Sequence, residues 1–492
     1  VLGKRHGKVG RPRGFKLFNF YNLFIISYYN TFVEEDITKK LQELLDNQKA
    51  IIERLNNLEN FAVINITQLK NDLFFQSYQQ FHTLQQGIYA ISRKINSNKK
   101  PRVVFLIHHL QAFYNIEDVY FTFKNCEKVD TVVIAINNHF KDAIIAEGAD
   151  EVSKELTIKG IEHITFNMEN TYYALDILLA LNPDYIFIQS PWDNDRPLAL
   201  KVPYVMFAKI LYVPYYPITL VEHFKPEQDD LHFNSYVHNL AYRIYVQTDM
   251  DKSYFEKYQI LKAKNVKVVG STKLYKLRYL RKNKRSKKEP SQYTFTLIWA
   301  PHHSVAKRWL GFGVFHKIYQ DMTRLAKENN DIKIIFKPHP FLRRSLMEHN
   351  IMHKEEYDKW LEEFSNIENV EIYTGGDYFS IFSESDAMLT DGLSFLVEYP
   401  VATGKPLIFF DSKAHQSLNQ IGELALEYAY KVDSFEAFKS ILDHLIKSKQ
   451  NKTKDNMYEK RIEILEEMEK FLIPDKNPAE AILEDVLEDW YG

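Results

Sequence analysis

From residue 101 onward the chain repeats one pattern: a short apolar run rich in β-branched and aromatic residues, a helical stretch, then another run. The runs "RVVFLIHH", "DTVVIAIN", "DYIFIQS" and "AYRIYVQT" form a first series; "FTLIWAP", "IKIIFKPHP", "VEIYTGG", "DAMLTDG" and "KPLIFFD" form a second. Strands joined through helices become sheet neighbours by running parallel, with each helix returning the chain to the starting edge. The pattern therefore predicts an α/β protein of two doubly wound, Rossmann-like domains facing a cleft. The lysine-rich stretch "KLRYLRKNKRSKKEPSQ" between the series reads as a polar linker, a solvated loop or a guide for an anionic polymer. The expected boundaries are 99–285 and 286–492, and 492 residues exceed what one core organises.

Two segments precede this body. Residues 1–32 are basic and then aromatic, "VLGKRHGKVGRPRGFK" followed by "LFNFYNLFIISYY". The apolar part is too short to cross a bilayer. It suits either a segment lying peripherally on an anionic membrane or a surface turn leading into a packed helix. "GRPRG" is similar to an AT-hook, but Val9 stands where a basic residue is wanted and there is one copy, so no nucleic-acid partner is expected. Residues 33–98 carry a heptad seam, Ile37, Leu41, Leu44, Ile51, Leu55, Leu58 and Ala62, interrupted by Gln48, with no glycine or proline from 31 to 86. A helical hairpin or coiled coil is expected there, pairing with a second copy as a homo-oligomer or folding onto the body; both stay open. The chain begins at Val1, as a piece of a longer protein would.

Charge excludes a global polyanion binder, since 63 Lys and Arg stand against 65 Asp and Glu. The single cysteine, Cys126, excludes an intrachain disulfide framework and a cysteine zinc site, and fits a reducing, cytoplasmic setting. No metal and no cofactor is expected.

Ligands of open parallel sheets bind beyond the carboxyl ends of the strands. In the second series those ends are polar: His302, His303 and Ser304; Lys337 and His339; Thr374 and Gly375; Thr390, Asp391, Gly392 and Ser394. Taken singly, a histidine there caps backbone, Lys337 is a solvated charge, and Asp391 or Ser394 caps a helix. Taken together, imidazoles, a lysine, hydroxyls and a helix N-terminus on one sheet edge point to a phosphate site.

The stretch "SESDAMLTDGLSFLVEYPVATGKPLIFFD" resembles the signature region of the CDP-glycerol glycerophosphotransferase family, which builds teichoic acids and related capsular polymers. The match lies at Ser385, Asp386, Thr390, Asp391, Ser394, Lys405 and Pro406, with Glu398 where the family has an aspartate. Gly392 and Leu393 depart from it, replacing a tyrosine and a serine, and one extra residue precedes Gly404. "WAPHHS" and "KPHP" are similar to further family segments, and "DYIFIQSPWD" and "ILYVPYYP" to capsule-associated members. The family's Trp-His-Gly, which would supply a histidine from the first domain, is absent. The resemblance spans roughly residues 100–450.

What it implies is a GT-B fold with an acceptor domain (99–285) and a nucleotide-donor domain (286–492). It further implies a CDP-linked polyol donor and transfer of glycerol phosphate or ribitol phosphate to a hydroxyl of a polymer or lipid-linked primer, releasing CMP. His302, His303 and His339 would be catalytic, with His302 or His303 as general base and His109 or Asp193 in reserve. Ser304, Lys337, Thr374, Gly375, Thr390, Asp391, Gly392 and Ser394 would hold the donor's phosphates, and Glu398 the ribose. The alternatives are a GT-B glycosyltransferase using a sugar nucleotide and, from another class, a nucleic-acid-binding protein using the basic arm.

Overall fold

The computed structural model describes residues 36–59, 99–138, 148–216, 219–222, 232–283, 292–305, 310–373 and 378–492, with scattered helical positions between 61 and 91. The basic segment 1–32, residues 284–291 of the lysine-rich stretch, and Thr374 and Gly375 lie outside the described residues, while the first part of that stretch, expected as a linker, is helical through Asn283.

Seven strands form the first sheet: β1 Arg102–Ile107, β2 Asp130–Ile136, β3 Ile164–Phe166, β4 Tyr185–Ile188, β5 Lys209–Tyr212, β6 Arg243–Val246 and β7 Val266–Val268. They are all parallel, in the order β3-β2-β1-β4-β5-β6-β7. Six strands form the second: β8 Phe295–Ala300, β9 Ile332–Phe336, β10 Val370–Ile372, β11 Ala387–Thr390, β12 Leu407–Phe410 and β13 Tyr430–Val432. Their order, β10-β9-β8-β11-β12-β13, repeats the first. In each sheet the chain reverses direction of travel beside the first strand, so the gaps at β1/β4 and β8/β11 are the places where a ligand finds room.

Burial on both faces explains the continuous apolar runs. Along β8, Leu297 and Trp299 pack into one cluster with Phe315, Trp360 and Phe364, while Ile298 and Ala300 enter the other with Tyr399 and Met468. β1 divides likewise, Phe105 meeting Phe187 and Phe123 on one side and Val104 and Leu106 meeting Ile186 and Ile188 on the other.

The chain passes between the sheets twice. The helix Thr272–Asn283 is the first passage, with Arg281 Nε donating to the Val401 carbonyl at 2.9 Å and Lys276 pairing with Asp118 at 3.1 Å. The second leads to the last helix, Pro478–Tyr491, which lies on the first sheet. Ala479, Ile482 and Val486 join the β1 core, Tyr245 donates to Asp485 at 2.8 Å, Lys209 to Asp489 at 2.6 Å, and Trp490 Nε1 to the Lys99 carbonyl at 2.9 Å.

Residues 36–59 form a helix in a separate compact unit, and the further described positions up to 91 are helical. No helix among the described residues is long and apolar enough to cross a membrane.

Candidate functional site

Three strand ends of the second sheet are knotted together by backbone hydrogen bonds. Asp391, just past β11, is fully buried; its Oδ1 accepts the His302 N–H at 2.5 Å and its Oδ2 the Val314 N–H at 2.6 Å. Thr390 Oγ1 donates to the Ala300 carbonyl at 2.9 Å and accepts the Gly392 N–H at 3.0 Å. The His339 N–H reaches the Pro301 carbonyl at 3.1 Å. Ser304 Oγ accepts the Phe312 N–H at 3.1 Å and lies 2.7 Å from His302 Nδ1. Asp391 and Ser304 therefore hold loops; neither presents a side chain to a ligand. Burial pushes the Asp391 carboxyl up to about 7, against the pull of the N–H groups of Val314 and His302.

That framework stacks three imidazoles. The ring of His303 lies 3.9 Å from that of His339 and 4.4 Å from that of His302, while His302 and His339 meet edge-on at 5.4 Å. Burial lowers all three: His303 to about 4, and His302 and His339 well below their ordinary value, with neighbouring imidazoles adding to the effect on the latter two. The rings are neutral at pH 7, and their tautomers follow from their contacts. His302 Nδ1 accepts the Ser304 N–H at 3.2 Å, and His339 Nδ1 accepts the Phe341 N–H at 3.1 Å. An imidazole whose Nδ1 accepts carries its proton on Nε2.

Lys337, at the end of β9, is buried with its ammonium 4.8 Å above the Tyr378 ring and 5.6 Å above that of Phe395. Burial lowers it to about 8, offset by Glu398 and reinforced by Lys273. Glu398 is itself occupied: Oε1 accepts from Lys273 at 2.9 Å and Oε2 from the Tyr378 hydroxyl. Glu398 also lines the cleft, and with one donor on each oxygen it keeps acceptor capacity. The helix Ser394–Thr403 begins at this point with Leu393 as its N-cap and no side-chain cap, and Ser394 is exposed. Its first N–H groups and its positive end are left for an anion.

The first domain supplies a facing wall. After β1, His109 Nδ1 accepts the Ala112 N–H at 3.1 Å, which again leaves Nε2 as the donor, and burial lowers the ring to about 4. Gln189, after β4, fixes this turn by accepting the N–H groups of His108 and His109 at 2.8 and 3.0 Å. His108 Nε2 lies 3.1 Å from Asp195 Oδ2, both side chains being about 1 % exposed. Burial raises Asp195, yet His108, Arg196 and Ser190 together hold it below the usual carboxylate range. Asp193, a reserve candidate for general base, is locked away: it takes the Val202 N–H at 3.1 Å and bonds Arg196 and the Tyr236 hydroxyl.

A cleft of about 250 Å³ joins these groups. His108, His109, Ser190, Trp192, Asp195, Tyr215 and Tyr216 line it from the first domain, and His302, Lys337, His339, Phe341, Tyr378, Gly392, Ser394 and Glu398 from the second. Among the described lining residues His303 is absent; it buttresses the His339 ring. His302 has its Nδ1 engaged by Ser304, and His303 is half-buried against the rings of His302 and His339. The His108–Asp195 pair went unread in the sequence, since only the fold sets these positions face to face. No group of three or more His, Cys, Asp or Glu among the described residues is arranged to hold a metal ion.

Gly392 leaves room for the His302 ring. A Cβ there would stand 3.2 Å from His302 Cδ2 and 3.4 Å from its Cβ, so the ring occupies the space a side chain would need. Gly392→Val is expected to displace His302 and lower turnover about 10- to 100-fold, with Gly392→Ala milder, as steady-state rates would show. Equal rates for all three forms would remove His302 from the reaction.

No known protein family's sequence profile matches the chain, and no curated protein matches it. Solved structures do. A protein described as a UDP-N-acetylglucosamine 2-epimerase from Listeria monocytogenes is 13% identical, with a TM-score of 0.50 over 80% of this chain and 97% of its own. The UDP-GlcNAc 2-epimerase of Neisseria meningitidis is 14% identical (TM-score 0.48; 79% of this chain, 100% of its own), and a glycosyltransferase of Rickettsia africae 13% (TM-score 0.43; 80% and 98%). The fold is GT-B-like.

Proposed function

We propose that the protein is a transferase that binds a nucleotide-linked donor by its pyrophosphate and passes the distal phosphoryl group, with the polyol it carries, from a CDP-linked donor to an acceptor hydroxyl. One observation carries this reading. Three neutral imidazoles, His109, His302 and His339, carry Nε2 protons on rings lining one cleft, beside Lys337 and an uncapped helix end.

Such a site is rich in donors and poor in free carboxylates, since Asp195 and Glu398 are both engaged. In phosphoryl transfer, negative charge spreads over the phosphoryl oxygens and the leaving phosphate, and fixed N–H donors stabilise it without reorganising. The acceptor oxygen bonds to the phosphorus of the polyol phosphate, the bond from phosphorus to the bridging oxygen breaks, and CMP departs with that electron pair. The hydroxyl proton goes to the first domain, where the His108–Asp195 pair lines the cleft. The sequence resemblance at Thr390, Asp391, Ser394 and Lys405 supports a CDP-linked donor over other nucleotides.

A second reading keeps every binding element and moves the cleavage to a sugar carbon, releasing a nucleoside diphosphate. The GT-B-like fold favours it, because the Listeria structure that shares the fold is described as acting on a UDP-sugar. Incubating the protein with CDP-glycerol, CDP-ribitol and a panel of sugar nucleotides, and separating nucleoside mono- from diphosphate, distinguishes them. CMP from a CDP-polyol is expected. UDP from a UDP-sugar would replace the first reading by the second.

A further inference from the structure

The helix 36–59 presents an apolar stripe of unusual regularity for a surface element. Ile37, Leu44, Ile51 and Leu58 occupy one heptad position, and Leu41, Gln48 and Leu55 the other. Every residue of this helix is exposed; along the stripe and its flank, exposure runs from 47 % at Leu45 to 64 % at Leu58. A single helix gains nothing from a repeat of 3.5 residues, because its own turn is 3.6; the repeat is useful to helices that wind around one another.

We infer that this helix is a self-association element, joining copies of the chain through a parallel, in-register coiled coil. Three features select that occupant. Four basic against five acidic residues over 36–59 leave the helix slightly negative, which disfavours an anionic lipid surface. Gln48 interrupts the stripe at one inner position; in parallel register it meets its own copy and forms a hydrogen-bonded layer, whereas any slipped alignment sets its amide against leucine. Arg54 precedes one inner position and Glu59 follows the next, the spacing that pairs a cation on one helix with a carboxylate on its parallel neighbour. Leu45 and Ile52 widen the stripe on one flank, adding apolar area to the interface.

Sedimentation equilibrium of the full chain at micromolar concentration tests this. A mass of two or more chains is expected, falling to one in the Leu44→Asp/Ile51→Asp double variant with the thermal midpoint of the α/β body unchanged. Ile37→Cys in a Cys126→Ser background is expected to cross-link on mild oxidation. Antiparallel pairing of the helices would hold the two copies of residue 37 about 30 Å apart. A monomeric wild type, an assembly that survives both aspartates, or a failure to cross-link would each overturn the inference. So would phosphatidylglycerol vesicles that capture a monomeric wild type but not the double variant.

Discussion

Lys337→Met is expected to abolish most of the proposed transfer reaction, lowering turnover by about 100- to 1,000-fold, and at the same time to make the unliganded protein more stable. Both effects have one cause. The ammonium is buried against the rings of Tyr378 and Phe395, and burial brings it down to about 8. Holding it protonated at pH 7 costs the fold on the order of 3 kcal/mol, which a methionine of similar shape does not incur. The pH dependence has a definite sign. Between about pH 8 and the ordinary lysine range the unfolded chain keeps a proton that the folded one has lost, so wild-type stability rises with pH there; the methionine variant lacks this rise. Activity runs the other way, because the donor is the protonated form, and it declines as pH climbs through about 8. Calorimetry of both proteins with a pH–rate profile of the wild type checks this. A variant that is less stable, or as active as its parent, would show that Lys337 is structural.

Acidification is the second large effect, and it acts on the imidazoles. His303 and His109 titrate at about 4 in the folded protein and His238 at about 3, with His302 and His339 also well below their usual value. Burial is the leading cause in each. Below about pH 6.5 the unfolded chain takes up protons that the folded rings refuse, so stability falls as pH falls toward the folded values. His303 and His109 each contribute on the order of 3 kcal/mol to that loss. Asp391 works in the opposite direction. Its carboxyl, raised to about 7, is protonated in the fold before it is in the open chain, so its contribution is present in acid and is lost as pH rises through 7. Asp118 and Asp251 are raised as well, but the lowered carboxyls of Asp455 and Asp489 lose stability in acid alongside the five imidazoles, and a net loss remains. The thermal midpoint is therefore expected to drop steeply below pH 6, and His339→Asn to flatten that slope. A midpoint constant from pH 7 to pH 5 would mean that water reaches these rings.

The sheet edges were legible because an apolar run with a polar end states both where a strand lies and where it stops. His302, Lys337, His339, Gly392 and Ser394 all lie on one cleft for that reason. What stayed hidden were partnerships across long sequence separations. Nothing near Glu398 announces that Lys273 and the Tyr378 hydroxyl will occupy it. Nothing near Asp391 shows that its acceptors serve both ends of the loop after β8 rather than its own helix. In the first domain, "IHH" ends a strand as plainly as "WAPHH" does, yet the pairing of His108 with Asp195 needs the β1 and β4 ends side by side. The last helix carries an ordinary amphipathic pattern, which tells that it packs but not on which sheet.

That last helix has a mechanical corollary. A protein whose halves meet through one connection can twist as well as open; one whose polypeptide crosses, and then crosses back, is strung at two points, and two points define an axle. Both crossings, at the helix Thr272–Asn283 and before the helix Pro478–Tyr491, tie the domain that carries His109 to the one that carries His302 and His339. Cutting the chain after Ile473 would leave the helix that covers Phe105 and Val103 without its covalent tie to the second sheet.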